Sequence, residues 1–310
     1  MKKFMTFVIA VLLLSSCSSI AGKDHSSEYG PAPLLTFVFD DGNDTDYLIA
    51  MEVFKKHGVK ASFAVVTGWI GKKDYLTVSQ LLELQNDGFE IMSHTVSHPD
   101  LKGLNDKLIE SELSASKAAL EGIGIRAKNL VYPYNKNNSR ARDIAGKYYR
   151  SARGGRSMLN PAGLDRYELK SYSFSHNIIK MKALIDNAYS EKKWLIFYHH
   201  QIDAKIKVSG RNGDFILGED LVFKPSGAAG KYEVKGICPF GSAMYITPLS
   251  GTPQVNDSVT GQSSGATGIL DKVYYNEKEN IDELIKYIHT KYPDMRIVTI
   301  DQGLDIYNIK

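Results

Sequence analysis

From Leu34 onward the chain alternates short apolar runs with amphipathic stretches, and this alternation constrains its fold more than any other feature. Leu34–Phe39 is a β-type run that ends in Asp40-Asp41-Gly42. In Asp44–His57 the apolar residues Tyr47, Met51 and Phe54 recur at i, i+4 and i+7 before Gly58, which predicts a helix. The same reading gives strands at Lys60–Val66, Phe89–Ser93, Asn129–Tyr132, Tyr148–Ala152, Trp194–Tyr198 and Met295–Ile300. It gives helices at Val78–Asp87, Asn105–Glu121, Ser139–Lys147, Asn177–Ser190 and around Ile281–Ile288. Strand–helix repetition of this kind specifies a parallel sheet covered by helices, either open or closed into a barrel.

Polar residues fall at one recurring place in this pattern. Asp40-Asp41, His94, Pro133-Tyr134 and His199-His200 each follow the C-terminal end of an expected strand. In parallel α/β folds that edge is where sites are built. Two imidazoles four residues apart, as in His94-Thr-Val-Ser-His98, can converge on one metal from a tight loop. Thr95 stands where a His-Glu-x-x-His metalloprotease would carry its Glu. Adjacent carboxylates such as Asp40 and Asp41 allow one to ligate a metal while the other takes a proton. Trp69 and Trp194 read as core residues; His25, His57, His176 and His289 carry no motif.

Between about Gln201 and Tyr275 the alternation breaks and Gly, Ser, Thr and Pro dominate. A loop this long without structure of its own would be unusual. The β-like pieces Phe215–Leu217, Leu221–Phe223 and Ala243–Thr247 predict an inserted, small β-rich subdomain at about 205–275.

The N-terminus carries a different signal. Met-Lys-Lys precedes an apolar run from Phe4 to Leu14, shorter than the about 20 residues a bilayer span needs. We read residues 1–16 as a signal peptide and 17–33 as a tether to the 34–310 domain. Leu14-Ser15-Ser16-Cys17 resembles a bacterial lipobox, which implies acylation of Cys17, a membrane anchor and an envelope location on the periplasmic or surface side. The other cysteine, Cys238, then has no intramolecular partner, and a cysteine-based zinc site is excluded by count. Removing Lys2 and Lys3 takes the formal charge from +3 to +1, and no long basic run is present, so nucleic acid is not an expected partner. Oligomeric state is not legible.

Taken in order, Thr36-Phe-Val-Phe-Asp-Asp-Gly42, Ser93-His-Thr-Val-Ser-His98, Tyr132-Pro-Tyr134 and Leu195-Ile-Phe-Tyr-His-His200 resemble the polysaccharide deacetylase family, carbohydrate esterase family four with its NodB-homology domain. The resemblance covers most of 34–200 and the final helix and strand, but not the insertion. It implies a distorted (β/α) barrel and a hydrolase removing acetyl groups from a carbohydrate. N-acetyl groups of an amino-sugar glycan come first, and O-acetyl groups of xylan or a similar polymer second. A glycan-binding envelope lipoprotein with a degenerate site is the competing class. The resemblance also implies a divalent metal, zinc before cobalt or another ion, held by Asp41, His94 and His98. Asp40 matches the base, the backbone N–H of Tyr134 the oxyanion donor, and His200, rather than His199, the acid. The family motif before Pro133 usually begins with an Arg that orients the base; Val131 stands there instead. Arg153, at the end of the next expected strand, is the cation we expect beside Asp40 in its place.

Overall fold

The computed structural model describes residues 32–233 and 243–310. The calls on the signal peptide, tether, Cys17 and Cys238 lie outside these residues. Among the described residues no helix is long and apolar enough to cross a membrane.

The first part of the chain builds strands β1 (Leu34–Phe39), β2 (Ser62–Val65), β3 (Glu90–Ser93), β4 (Asn129–Val131), β5 (Ser151–Arg153), β6 (Tyr172–Ser173) and β7 (Trp194–His199). Between them run helices α1 (Asp44–Ile49), α2 (Val78–Asn86), α3 (Asp106–Gly122), α4 (Ser139–Tyr148) and α5 (Ile178–Ser190). An inserted unit follows, with β8 (Ala204–Asn212), β9 (Asp220–Lys224), β10 (Ala229–Glu233), β11 (Ala243–Ser250), β12 (Ser258–Gly261) and β13 (Thr267–Asn276). The chain then returns as α6 (Glu277–Lys291), β14 (Arg296–Ile297) and α7 (Ile300–Ile306). The first sheet is eight-stranded and parallel, in the order β5-β4-β3-β2-β1-β7-β6, with β14 also pairing β1. The expected (β/α) barrel is thus distorted and open between β5 and β6.

Strands β1, β2, β4 and β5 are buried along their whole length, so alternate residues enter two different cores. Leu35, Phe37, Phe39, Phe63, Leu195 and Phe197 pack under the helices with Ile185 of α5 and Ile281 and Leu284 of α6. Leu34, Val38, Ala64, Met92, Val131 and Ile196 point inward. There Trp194, completely buried, donates from Nε1 to Thr36 Oγ1 at 3.0 Å. Helix α7 fills this interior from the N-terminal edge with Ile300 and Leu304. Its first N–H, of Ile300, donates to Ser62 Oγ at the start of β2 (3.0 Å), and that of Asp301 to Glu90 (3.1 Å). The opposite, C-terminal edge is left for chemistry.

Two expected elements differ. The helix read over Asp44–His57 is α-helical only to Ile49, then widens into a π-turn over Ala50–Phe54, with Lys55 N–H bonding Ala50 O at 2.9 Å. The strand read over Met295–Ile300 is only β14, and α7 takes over behind a capping box of Thr299 and Gln302.

The insertion, from Ala204 to Asn276, is a closed barrel in the order β10-β11-β8-β13-β12-β9, all neighbours antiparallel. Ile206, Val208, Leu221, Phe223, Met244, Ile246, Val259 and Leu270 fill it. Phe215–Leu217, expected as β, lies in the β8–β9 connection.

Packing between α7 and Trp194 gives the first prediction. Gly303 is helical, and a Cβ there would lie 2.4 Å from Trp194 Cζ2. Ala is the better helix former by about 1 kcal/mol, while overpacking costs about 1–3 kcal/mol. Gly303→Ala is therefore expected to lower the urea midpoint, and an unchanged or raised midpoint would show that α7 does not sit against Trp194.

Candidate metal and catalytic site

The alternation that divides the two cores also aims the rim residues. In β1, Leu34, Thr36 and Val38 point inward, so Asp40 does too, and it is buried at 3% exposure. Its backbone N–H donates to His199 O at 2.7 Å. Asp41 then leaves the strand with φ 78°, a left-handed conformation continued by Gly42 at φ 77°. A Cβ on residue 42 would meet Val65 Cγ1 at 2.8 Å, so glycine is required there by space as well as by φ.

His94 follows inward-facing Met92 on β3. Its Nδ1 lies 2.8 Å from Val131 O. Because a carbonyl only accepts, Nδ1 carries the hydrogen and Nε2 keeps its lone pair free for a metal. His98 returns to the same point through left-handed turns at Thr95 (φ 68°) and at His98 itself (φ 61°). The His98 N–H donates to Thr95 Oγ1 at 3.0 Å. Glu112 of α3 holds this loop, accepting from the N–H groups of Val96 (2.8 Å) and Ser97 (3.0 Å) and from Ser97 Oγ (2.7 Å).

The outcome is a convergence of Asp41 Oδ1, His94 Nε2 and His98 Nε2. The two imidazole nitrogens are 3.2 Å apart, and each is 3.5 Å from Asp41 Oδ1. Donors bonded at about 2.0–2.1 Å to a tetrahedral zinc lie about 3.3 Å from one another. Asp41 Oδ1 is buried without a hydrogen-bond partner, as a carboxylate waiting for a cation would be. The donor set and its spacing fit a divalent ion such as zinc.

Electrostatics agree with ligand states. Burial acts to raise the Asp41 carboxyl, but His94 and then His200 and His98 outweigh it, and the group is held below the usual carboxylate range. Burial, then His94, lowers the His98 imidazole, against the pull of Asp41 and Asp40. Neutral imidazole is the form a metal needs.

Arg153, at the end of β5, is completely buried. It reaches across the interior to Asp40, with Nη2 2.5 Å from Oδ2. Nη1 donates to Asn135 Oδ1 (2.5 Å) and Ser171 Oγ (3.2 Å), and the guanidinium lies 5.0 Å from the Tyr198 ring centroid. The expected cation is beside Asp40, where Val131 supplies no charge. Tyr134 sits in a tight turn over Pro133–Asn135 with a left-handed φ of 58°, its ring 4.6 Å from that of His98. Its N–H stands apart from the turn's own bonds, Asn135 N–H to Tyr132 O and Lys136 N–H to Pro133 O. His199 turns outward, to Glu277 Oε2 at 3.3 Å, while His200 is exposed at the rim and close enough to lower Asp41 by its charge.

Two residues lie here that sequence reasoning did not bring. Trp69, read as core, is instead half-buried on the rim, 5.5 Å from the His98 ring and 5.0 Å from that of Tyr75. The β2–α2 connection carries it there, and residue type alone gives no sign of that path. Asp46 of α1 is completely buried, with neither carboxyl oxygen hydrogen-bonded. Burial first, then Asp41 and Asp40, pushes it well above the usual carboxylate range.

The model of the polysaccharide deacetylase family matches residues 28–150. A putative polysaccharide deacetylase of Bacillus subtilis, YxkH, is 34% identical over 110 residues, 35% of this chain and 39% of that protein. A gellan lyase of a Bacillus species is 36% identical over 182 residues, 53% of this chain and 7% of that protein. The chain thus spans well under two thirds of the length of either relative. A solved structure of the Streptococcus pyogenes deacetylase PplD in complex with acetate matches with TM-score 0.46 and 25% identity, over 48% of this chain and 68% of that one.

Removing one partner of a buried ion pair strands the other and costs about 3–5 kcal/mol. Arg153→Met is expected to destabilise the fold by that much in urea. Adding Asp40→Asn should recover a substantial part. Additive single and double variants in that cycle would mean that the pair does not form.

Proposed function

We propose that this chain, which belongs to the polysaccharide deacetylase family, is a metal-dependent hydrolase that removes acetyl groups from a carbohydrate, N-acetyl groups of an amino-sugar glycan first. One observation carries the reading. Three metal-compatible donor atoms at 3.2–3.5 Å spacing share a rim with a carboxylate that a buried guanidinium holds.

In this reading Asp41, His94 and His98 hold a divalent ion, zinc in the first place. The ion supplies a Lewis acid and lowers the pKa of a water molecule toward about 7. Asp40 would accept a proton from a water molecule attacking the acetyl carbonyl. Arg153 holds Asp40 through Oδ2, leaving Oδ1 to face the proton. The Tyr134 N–H donates to the oxygen that gains charge. His200 returns a proton to the departing nitrogen, so the bond to the acyl carbon breaks with a neutral amine leaving. Acetate and a free amino sugar are the products. Trp69 and Tyr134, aromatic and partly exposed beside His98, offer faces on which a sugar ring can rest.

We propose an envelope location on the strength of the lipobox-like residues Leu14–Cys17. Acylation of Cys17 would tether the enzyme to an envelope membrane, within reach of a glycan polymer.

Acetate release from N-acetylated oligosaccharides and from acetylated xylan tests the activity. With zinc, release from the former is expected. Chelator should abolish it, added zinc should restore it, and Asp40→Asn should reduce it by about 10²–10⁴-fold. Release that survives chelation or the Asp40→Asn change would refute the mechanism. Release from xylan alone would reassign the substrate to an ester.

A further inference from the structure

We propose that His199 is a positioning residue for His200, acting through a clasp that also seats the inserted barrel. The proposal rests on the reading of His200 as the acid.

The ring of His200 needs an external hold. It is exposed, and among the described residues no side chain hydrogen-bonds it; Tyr198 approaches at 6.0 Å between centroids. Its direction therefore depends on the backbone at the end of β7. His199 Nδ1 lies 2.9 Å from the His200 carbonyl oxygen. On the other side of the same ring, Nε2 lies 3.3 Å from Glu277 Oε2. Phe39 and Phe174 flank it at 6.0 and 4.9 Å, and the His199 side chain is only 10% exposed. Both neighbours of the ring are acceptors. Nδ1–H therefore donates to the His200 carbonyl, and the Glu277 carboxylate lies beside Nε2.

Glu277 is itself at a junction. The chain enters the barrel after Asp203 and leaves it at Glu277, the first residue of α6. Glu277 Oε2 accepts the Asp203 N–H at 2.9 Å, and the Glu277 N–H donates to Asp203 O at 3.0 Å. Burial acts to raise the Glu277 carboxyl, but its bonds to His199 and Asp203 overcome this and keep it ionised. The two crossings into the barrel are thus tied to each other and, through His199, to the carbonyl that sets the direction of His200. The insertion and the acid share one fastening.

Two substitutions separate its two halves. Gln at 199 places a donor amide near the position of Nε2 and leaves the His200 carbonyl without a donor. Asn at 199 places one near Nδ1 and releases Glu277. The assay uses the full zinc-loaded chain on an N-acetylglucosamine oligomer, whose leaving amine needs a proton, and on p-nitrophenyl acetate, whose leaving group does not. For His199→Gln we expect kcat on the oligomer to fall about tenfold or more, KM to stay within about twofold, and aryl acetate turnover to stay within about twofold. His199→Asn should keep most of the oligomer kcat. Should His199→Gln fail to fold, His199→Phe keeps a ring between Phe39 and Phe174 without a donor to the His200 carbonyl and should lower oligomer kcat in the same selective way. Equal losses on both substrates, or no loss on the oligomer while His200→Ala abolishes it, overturns the positioning role alone. A parent inactive on both substrates, or a His200→Ala variant with parental kcat, overturns the reading of the site and this proposal with it.

Discussion

Everything at the rim depends on strand β1 being buried on both faces. Leu34–Phe39 and Trp194–Phe197 are buried on both sides, so the fit of their side chains into two packed cores, rather than an apolar–polar alternation, holds their register. Period two then carries past the strand ends. Asp40 continues the inward set of Leu34, Thr36 and Val38, and His200 the inward set of Trp194, Ile196 and Tyr198. A one-residue slip would put His199 inward and send Asp40 toward the helices. The pairing of Phe39 with His199, and the Asp40 N–H on His199 O, fix the two strands against such a slip.

Within that frame the buried charges are matched rather than merely tolerated. Arg153 crosses from β5 to Asp40 and is surrounded by acceptors and an aromatic face, Asn135, Ser171 and Tyr198. A buried guanidinium with so many partners is costly to create and costly to disturb. Its position opposite β1 also spans the interior of a sheet that does not close. Asp46 is the exception in the set: burial and the nearby Asp41 and Asp40 push its carboxyl well above the usual range.

The parts of this site legible in the sequence are those fixed by strand ends. Asp40, Asp41, His94, Tyr134 and His200 each follow a short apolar run and Arg153 ends the short strand β5, and the parallel fold gathers all such positions on one edge. Alternation also separates His199 from His200, and the structure turns His199 outward to Glu277. Trp69 was not legible, because a connection rather than a strand delivers it, and no local pattern records the path of that connection. The closure of the barrel was not legible either. Its strands are short, its turns rich in Gly and Ser, and its order, with β8 between β11 and β13, follows no sequential rule. Helix α7 did leave a signal in Thr299-x-x-Gln302, a capping box that outranks the β-like run before it.

The central claim is that Asp41, His94 and His98 hold a divalent ion. X-ray absorption at the zinc edge of the zinc-loaded chain addresses it without reference to substrate or turnover. The account predicts scattering from two imidazoles at about 2.0–2.1 Å with oxygen at about 2.0–2.2 Å, and no sulfur. A spectrum without imidazole scattering, or one with sulfur near about 2.3 Å, would contradict it.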